Sequence, residues 1–140
     1  MSNHWVSEAG LWIAQSQLDW DTAHELAESR PYVSCFYAQQ AAEKALKSVY
    51  VVEGLEMPRI HSIGGLLSGL MDQFSQFEPF RDVAAILDAY YIGTRYPSAE
   101  LGQVPGKNYT MKNANDAVTA AKGIVDACQS IFGAAAQEQH

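Results

Sequence analysis

Apolar and small residues recur along this chain at spacings of three and four, the period of a helix with one buried face. In the first segment they fall at Trp5, Ala9, Trp12, Ile13, Ser16, Trp20, Ala23 and Ala27. Arg30-Pro31 marks the stop, because proline lacks an amide donor and biases its predecessor away from helix. The pattern predicts a helix over 5–29. A second run, YVSCFYAQQAAEKALKSVYVVEG, continues it through Val33, Phe36, Tyr37, Ala41, Ala45, Ser48, Val49 and Val52, and Gly54 is a natural C-cap. Glu43 and Lys47 stand one turn apart with the acid first, the favourable order on a helix surface.

Pro58 and Gly64-Gly65 break the pattern, so LEMPRIHSIGG reads as a loop, and Ser62 is placed to cap a short helix running to about residue 74. Phe80, Val83, Ala84, Leu87, Tyr90, Tyr91 and Thr94 form the next stripe, with Pro79 suited to a first turn and Pro97 just past the end. SAELGQVPGK is polar and glycine-containing, a loop beside a charged helix end. From about Tyr109 the period returns through Ala114, Ala117, Val118, Ala121, Ile124, Val125, Cys128 and Phe132. No apolar alternation of the strand type occurs. The fold class predicted is all-α: an antiparallel up-and-down bundle of four long helices plus one short one, a single domain over 1–133 with a disordered tail over 134–140.

Composition narrows the function classes. The 140 residues, 48% of them hydrophobic, suffice for one core, and no apolar run approaches the length of a bilayer span. The first residues lack a signal-peptide pattern, so a cytoplasmic location without membrane association is expected. Cys35 and Cys128 sit inside apolar helical patterns with no ligand-spaced Cys or His nearby and read as buried reduced thiols. A net charge of −7 argues against broad adhesion to nucleic acid, since that requires clustered Lys and Arg. A local basic site remains compatible with it.

Three places carry candidate chemistry. Helix two presents Gln40, Glu43, Lys44 and Lys47 within two turns; an edge of this kind is either a solvated face with an ion pair or an anchor for a phosphate. Arg95 ends a helix, where a cation suits the negative dipole end and can cap free carbonyls. It also precedes Tyr96 and Pro97, a stiff turn that would make a defined anion site. His61 follows Arg59 in a loop and either caps and packs or moves protons. Phosphate-loop, dinucleotide, zinc-protease, paired-cysteine and hydrolase-elbow motifs are absent, and the scattered carboxylates give no metal-ligand spacing, so neither metal nor cofactor is expected.

FYAQQAAEKALKSVY, then RIHSIGGLL, then YYIGTRYP, in this order, resemble the HEPN domain family, and the likeness runs from Trp5 to about Phe132. The resemblance implies a helical bundle that pairs about a two-fold axis, often beside a minimal nucleotidyltransferase in a toxin and antitoxin pair. Many such proteins are metal-independent RNases, in which an arginine stabilises phosphate charge and a histidine after four to six intervening residues moves the proton of the attacking 2′-hydroxyl. Here those positions after Arg95 hold Glu100, Leu101 and Gly102. The reading favoured on these grounds is a non-catalytic module that dimerises, binds a nucleotide or an RNA phosphate through Arg95, Tyr96, His61, Lys44, Lys47 and Gln40, and partners a nucleotidyltransferase. The alternative is an RNase toxin with a rearranged site, Arg95 holding the phosphate and His61 or Tyr96 the proton.

Overall fold

Arg30 has an extended backbone and Pro31 opens the next helix, so the chain turns sharply between its first two long elements. The computed structural model describes residues 3–98, 102 and 104–138. They form α1 (Asn3–Leu26), α2 (Pro31–Val52), α3 (Ile63–Ser68), a 3-10 turn (Ser75–Phe80), α4 (Arg81–Gly93), α5 (Pro105–Asn108) and α6 (Met111–Glu138), with no strand among the described residues. The bundle of long α1, α2, α4 and α6 is the all-α architecture the hydrophobic period predicts.

α2 is the central helix. It packs on α1, α3, α4 and α6, and 15 of its 22 residues are buried, so more than one of its faces lies inside. Alanines 38, 41, 42 and 45 let neighbours approach closely. Small hydroxyls use that closeness: Ser16 Oγ donates to the Ala41 carbonyl at 2.7 Å and Ser34 Oγ to the Ala23 carbonyl at 2.6 Å. Trp20 Nε1 ties α1 to α6 through the Val118 carbonyl. Leu46, Leu66, Leu67, Leu70, Phe77, Leu87, Ile124 and Val125 fill the interior.

Several boundaries differ from the sequence reading, each for a local reason. α1 runs from Asn3 to Leu26 rather than over 5–29, and Trp5 at its start is exposed. α2 ends as expected: Gly54 takes φ 68°, and the amides of Gly54 and Leu55 reach back to the Val51 and Tyr50 carbonyls. Ser62 caps α3 by accepting from the Gly65 amide, but α3 stops at Ser68 instead of near residue 74. At the stop the Leu66 carbonyl accepts the Tyr50 hydroxyl at 2.7 Å and the Leu70 amide bonds the Leu67 carbonyl instead, while Gly69 lies so close to that hydroxyl that no Cβ would fit. Pro79 lies in the 3-10 turn ahead of α4. Thr110 and Asn113 cap α6 reciprocally. α6 then continues through the proposed tail to Glu138, because its alanines are good helix formers and Ala135 packs with Ala9, Val51 and Val52.

Cys35 and Cys128 are free and buried, as expected, and burial pushes the Cys35 thiol up to about 12. Among the described residues no helix is long and apolar enough to cross a membrane.

Candidate functional site

The polar edge of α2 points inward. The predicted solvent-facing pair, Glu43 and Lys47, is buried, with side chains 6% and 9% exposed, because α2 is enclosed on this side by the loop before α3. Lys47 Nζ donates to Glu43 Oε2 at 3.1 Å and lies 6.0 Å from the Trp12 ring centroid. Gln39 Nε2 donates to Glu43 Oε1 at 3.1 Å and to the His61 carbonyl at 3.0 Å, while Gln40 Nε2 donates to Gln39 Oε1. Lys44 points the other way and pairs with the buried carboxylate of Asp19 on α1. In this structure Lys44 and Lys47 are therefore counterions within the bundle, and Gln40 acts through Gln39.

His61 sits above this cluster. Its Nδ1 lies 3.1 Å from Glu43 Oε2, and its ring, 55% exposed, stacks on Tyr91 at 4.5 Å between centroids and 13° between planes. Tyr91 lies on the last turn of α4 and Arg95 follows two residues past its end, four positions on, so the side chains are neighbours. The Arg95 guanidinium lies 4.5 Å from the Tyr91 ring centroid, 5.1 Å from that of Phe36 on α2 and 5.3 Å from that of Tyr96. Arg95 Nε also donates to the Tyr91 carbonyl at 2.8 Å, the helix-end capping role open to it from sequence.

Arg95 and His61, 34 positions apart in the chain, thus both contact one tyrosine ring, each 4.5 Å from its centroid. Among the described residues Arg95 forms no ion pair with a carboxylate and is exposed. Beside them His61, Ser62, Asp88 and Tyr91 line an open cavity of about 210 Å³. Asp88 is held there by donors: the Ile63 and Gly64 amides and the Ser62 hydroxyl all bond its carboxylate, closing the start of α3 against other anions. An exposed guanidinium framed by aromatic rings next to an oriented imidazole can take a phosphate at one end and stack a planar base at the other.

Of the residues singled out from sequence, Arg95, Tyr96 and His61 come together, Lys47 and Gln40 support from beneath, and Lys44 is apart. Tyr91, Phe36 and Asp88 were missed as site residues, and Glu43 was named only within the polar edge of helix two. The spacing of Tyr91 to Arg95 was the available signal for the first; Phe36 and Tyr91 were absorbed into core stripes, and Glu43 into a surface pair. Of the three positions that follow Arg95 after four to six intervening residues, Glu100 and Leu101 lie outside the described residues. No group of three or more His, Cys, Asp or Glu suited to a metal occurs among the described residues.

Comparison with known proteins agrees with this architecture. The chain resembles TT1696 from Thermus thermophilus with a TM-score of 0.81 and 32% identity, over 88% of this chain and 97% of that one. It resembles ST0689, an archaeal HEPN homologue, with a TM-score of 0.73 and 28% identity, over 89% and 97% of the two chains. It is 23% identical over 131 residues to "Putative toxin MJ1304" of Methanocaldococcus jannaschii, covering 86% of each. The model of the HEPN domain matches residues 9–131, nearly the whole chain, and the protein belongs to the HEPN domain family.

Proposed function

We propose that this protein is a toxin-type HEPN module that binds the phosphate of RNA or of a nucleotide on the surface made by Arg95, Tyr91, Tyr96, Phe36 and His61, and that a minimal nucleotidyltransferase is its partner. The observation that carries the binding site is the contact of both Arg95 and His61 with the Tyr91 ring. In a chain of net charge −7, Arg95 is an exposed guanidinium with no carboxylate partner among the described residues, a charge open to a phosphate. Aromatic rings beside it offer stacking to unpaired bases, the usual means of holding single-stranded RNA. Similarity to a protein named as a toxin supports the toxin class, and the nucleotidyltransferase rests on family membership.

Titration of labelled single-stranded RNA in chelator tests the site. Saturable binding by the wild type and its loss in Arg95→Ala, with an unchanged folded signal, is the expected result. Equal binding by both proteins overturns the assignment of Arg95.

The same proximity favours a second reading, RNA cleavage. His61 Nε2 takes the proton of a 2′-hydroxyl, the 2′-oxygen bonds the adjacent phosphorus, and the bond to the 5′-oxygen breaks. The 5′-oxygen is protonated from water, His61 returns its proton to water, and Arg95 bears the added charge on the phosphoryl oxygens. Products ending in 2′,3′-cyclic phosphate, absent with His61→Ala, are its signature.

The assembly we propose is a homodimer through α4. Ala85, Ala89 and Ile92 form one uncharged exposed row on the side of α4 opposite its buried Ala84 and Leu87, and the exposed Tyr96 follows just past the helix end. Two alanines let a second copy approach closely, and the row is continuous with the Arg95 surface, so pairing would set two sites side by side. Ile92→Glu should convert a dimer to a monomer in sedimentation; a wild-type monomer at micromolar concentration would dismiss this interface.

A further inference from the structure

The donors converging on Glu43 say more about His61 than its exposure does. Lys47 and Gln39 each donate to Glu43, one on each oxygen, so the carboxylate is an acceptor on both. The third group in reach is His61 Nδ1, 3.1 Å from Oε2. A nitrogen facing an acceptor-only carboxylate must carry the hydrogen, so in the neutral ring Nδ1–H donates to Glu43 and Nε2 holds the lone pair.

The main chain fixes the rest of the geometry. Gln39 bonds the His61 carbonyl, so one helical row of α2 (Gln39, Glu43, Lys47) holds this residue by backbone and ring together. Tyr91 covers one face of the imidazole and holds its plane, and the contact with Glu43 selects which edge of the ring faces the carboxylate. With Nδ1 engaged beneath, the remaining nitrogen lies on the side of the ring away from Glu43, and His61 lines the open cavity with Ser62, Asp88 and Tyr91.

We infer that Glu43 is a positioning residue: it holds His61 in the Nδ1–H tautomer and leaves Nε2 as a proton acceptor toward whatever occupies the cavity. Free histidine favours the opposite tautomer, so the arrangement is imposed by the fold. Its use toward RNA rests on the binding site proposed above; the tautomer itself does not. A carboxylate behind a histidine fixes ring orientation and stabilises the imidazolium that forms when a proton is taken.

The test reads the ring directly. Two-bond nitrogen and carbon correlations of His61 in the intact protein, at a pH where the ring is neutral, report which nitrogen is bare. The wild type should show a bare, pyridine-type Nε2. Glu43→Met combined with Lys47→Met, which removes both buried charges and so avoids stranding one, should shift the ring to the Nε2–H form. A bare Nδ1 in the wild type, or no change in the double variant, overturns the inference. Arg95→Ala serves as the separate control: it should leave the tautomer in place, and loss or retention of RNA binding in that variant judges the RNA site alone.

Discussion

Glu43→Met should lower the stability of the protein by about 3–5 kcal/mol, the range for breaking a buried ion pair by removing one partner. For a chain of this size that is a fall in melting temperature on the order of 10 °C or more. The Lys47 side chain is 9% exposed, and Glu43 is its only carboxylate partner in the described structure; without it the ammonium keeps only a distant contact with Trp12. Lys47→Met should do less harm, because Gln39 and His61 still donate to the carboxylate left behind. Replacing both residues by methionine should recover most of the loss, since a buried pair exchanged for apolar groups of similar volume is often neutral. Thermal or urea unfolding of the three variants measures the order. Additive losses in the double variant would contradict the picture of Glu43 and Lys47 as mutual counterions.

The same pair shows how far the sequence could be read. Its spacing and order were legible, and so was the helix that carries it, because a period of three and four residues with a proline at one end and Gly54 at the other is a local signal. What spacing could not supply was the direction in which the edge faces. α2 is buried on more than one side, and only tertiary packing decides that Gln39, Glu43 and Lys47 lie under a loop while Lys44 reaches Asp19. The site divides along the same line. Arg95 and Tyr96 were visible as a cation and an aromatic at a stiff helix end. Their juxtaposition with His61 depends on α4 crossing the loop before α3, held by Asp88 bonding the Ile63 and Gly64 amides. That contact joins residues 24 and 25 positions apart and leaves no periodic trace. The tail was misread for the opposite reason: alanines carry little signal of burial, yet Ala135 finds a small apolar cluster and α6 runs on to Glu138.

Tyr91→Ala should weaken RNA binding by roughly tenfold to a hundredfold while costing the fold only about 1–2.5 kcal/mol of stability. Tyr91 is only half-buried, so its removal opens no enclosed cavity. Its ring, however, is the surface on which both functional groups rest, Arg95 at 4.5 Å and His61 at 4.5 Å. An exposed cation–π contact contributes about 0.5–1 kcal/mol and an aromatic stack about 0.5–1.5 kcal/mol. Losing both frees two side chains that must then be ordered again when the ligand binds, which carries its own entropic cost. That ordering costs about 0.5–1.5 kcal/mol for each side chain, roughly 1–3 kcal/mol for the two, and each 1.4 kcal/mol is tenfold in affinity. Tyr91→Phe keeps the ring and should bind within about threefold of the wild type, because none of these contacts uses the hydroxyl. Fluorescence titration with one RNA at fixed salt measures all three proteins on the same scale. Wild-type affinity in Tyr91→Ala would mean that Arg95 and His61 bind independently of the ring between them, and the site would have to be redrawn around Arg95, Phe36 and Tyr96 alone.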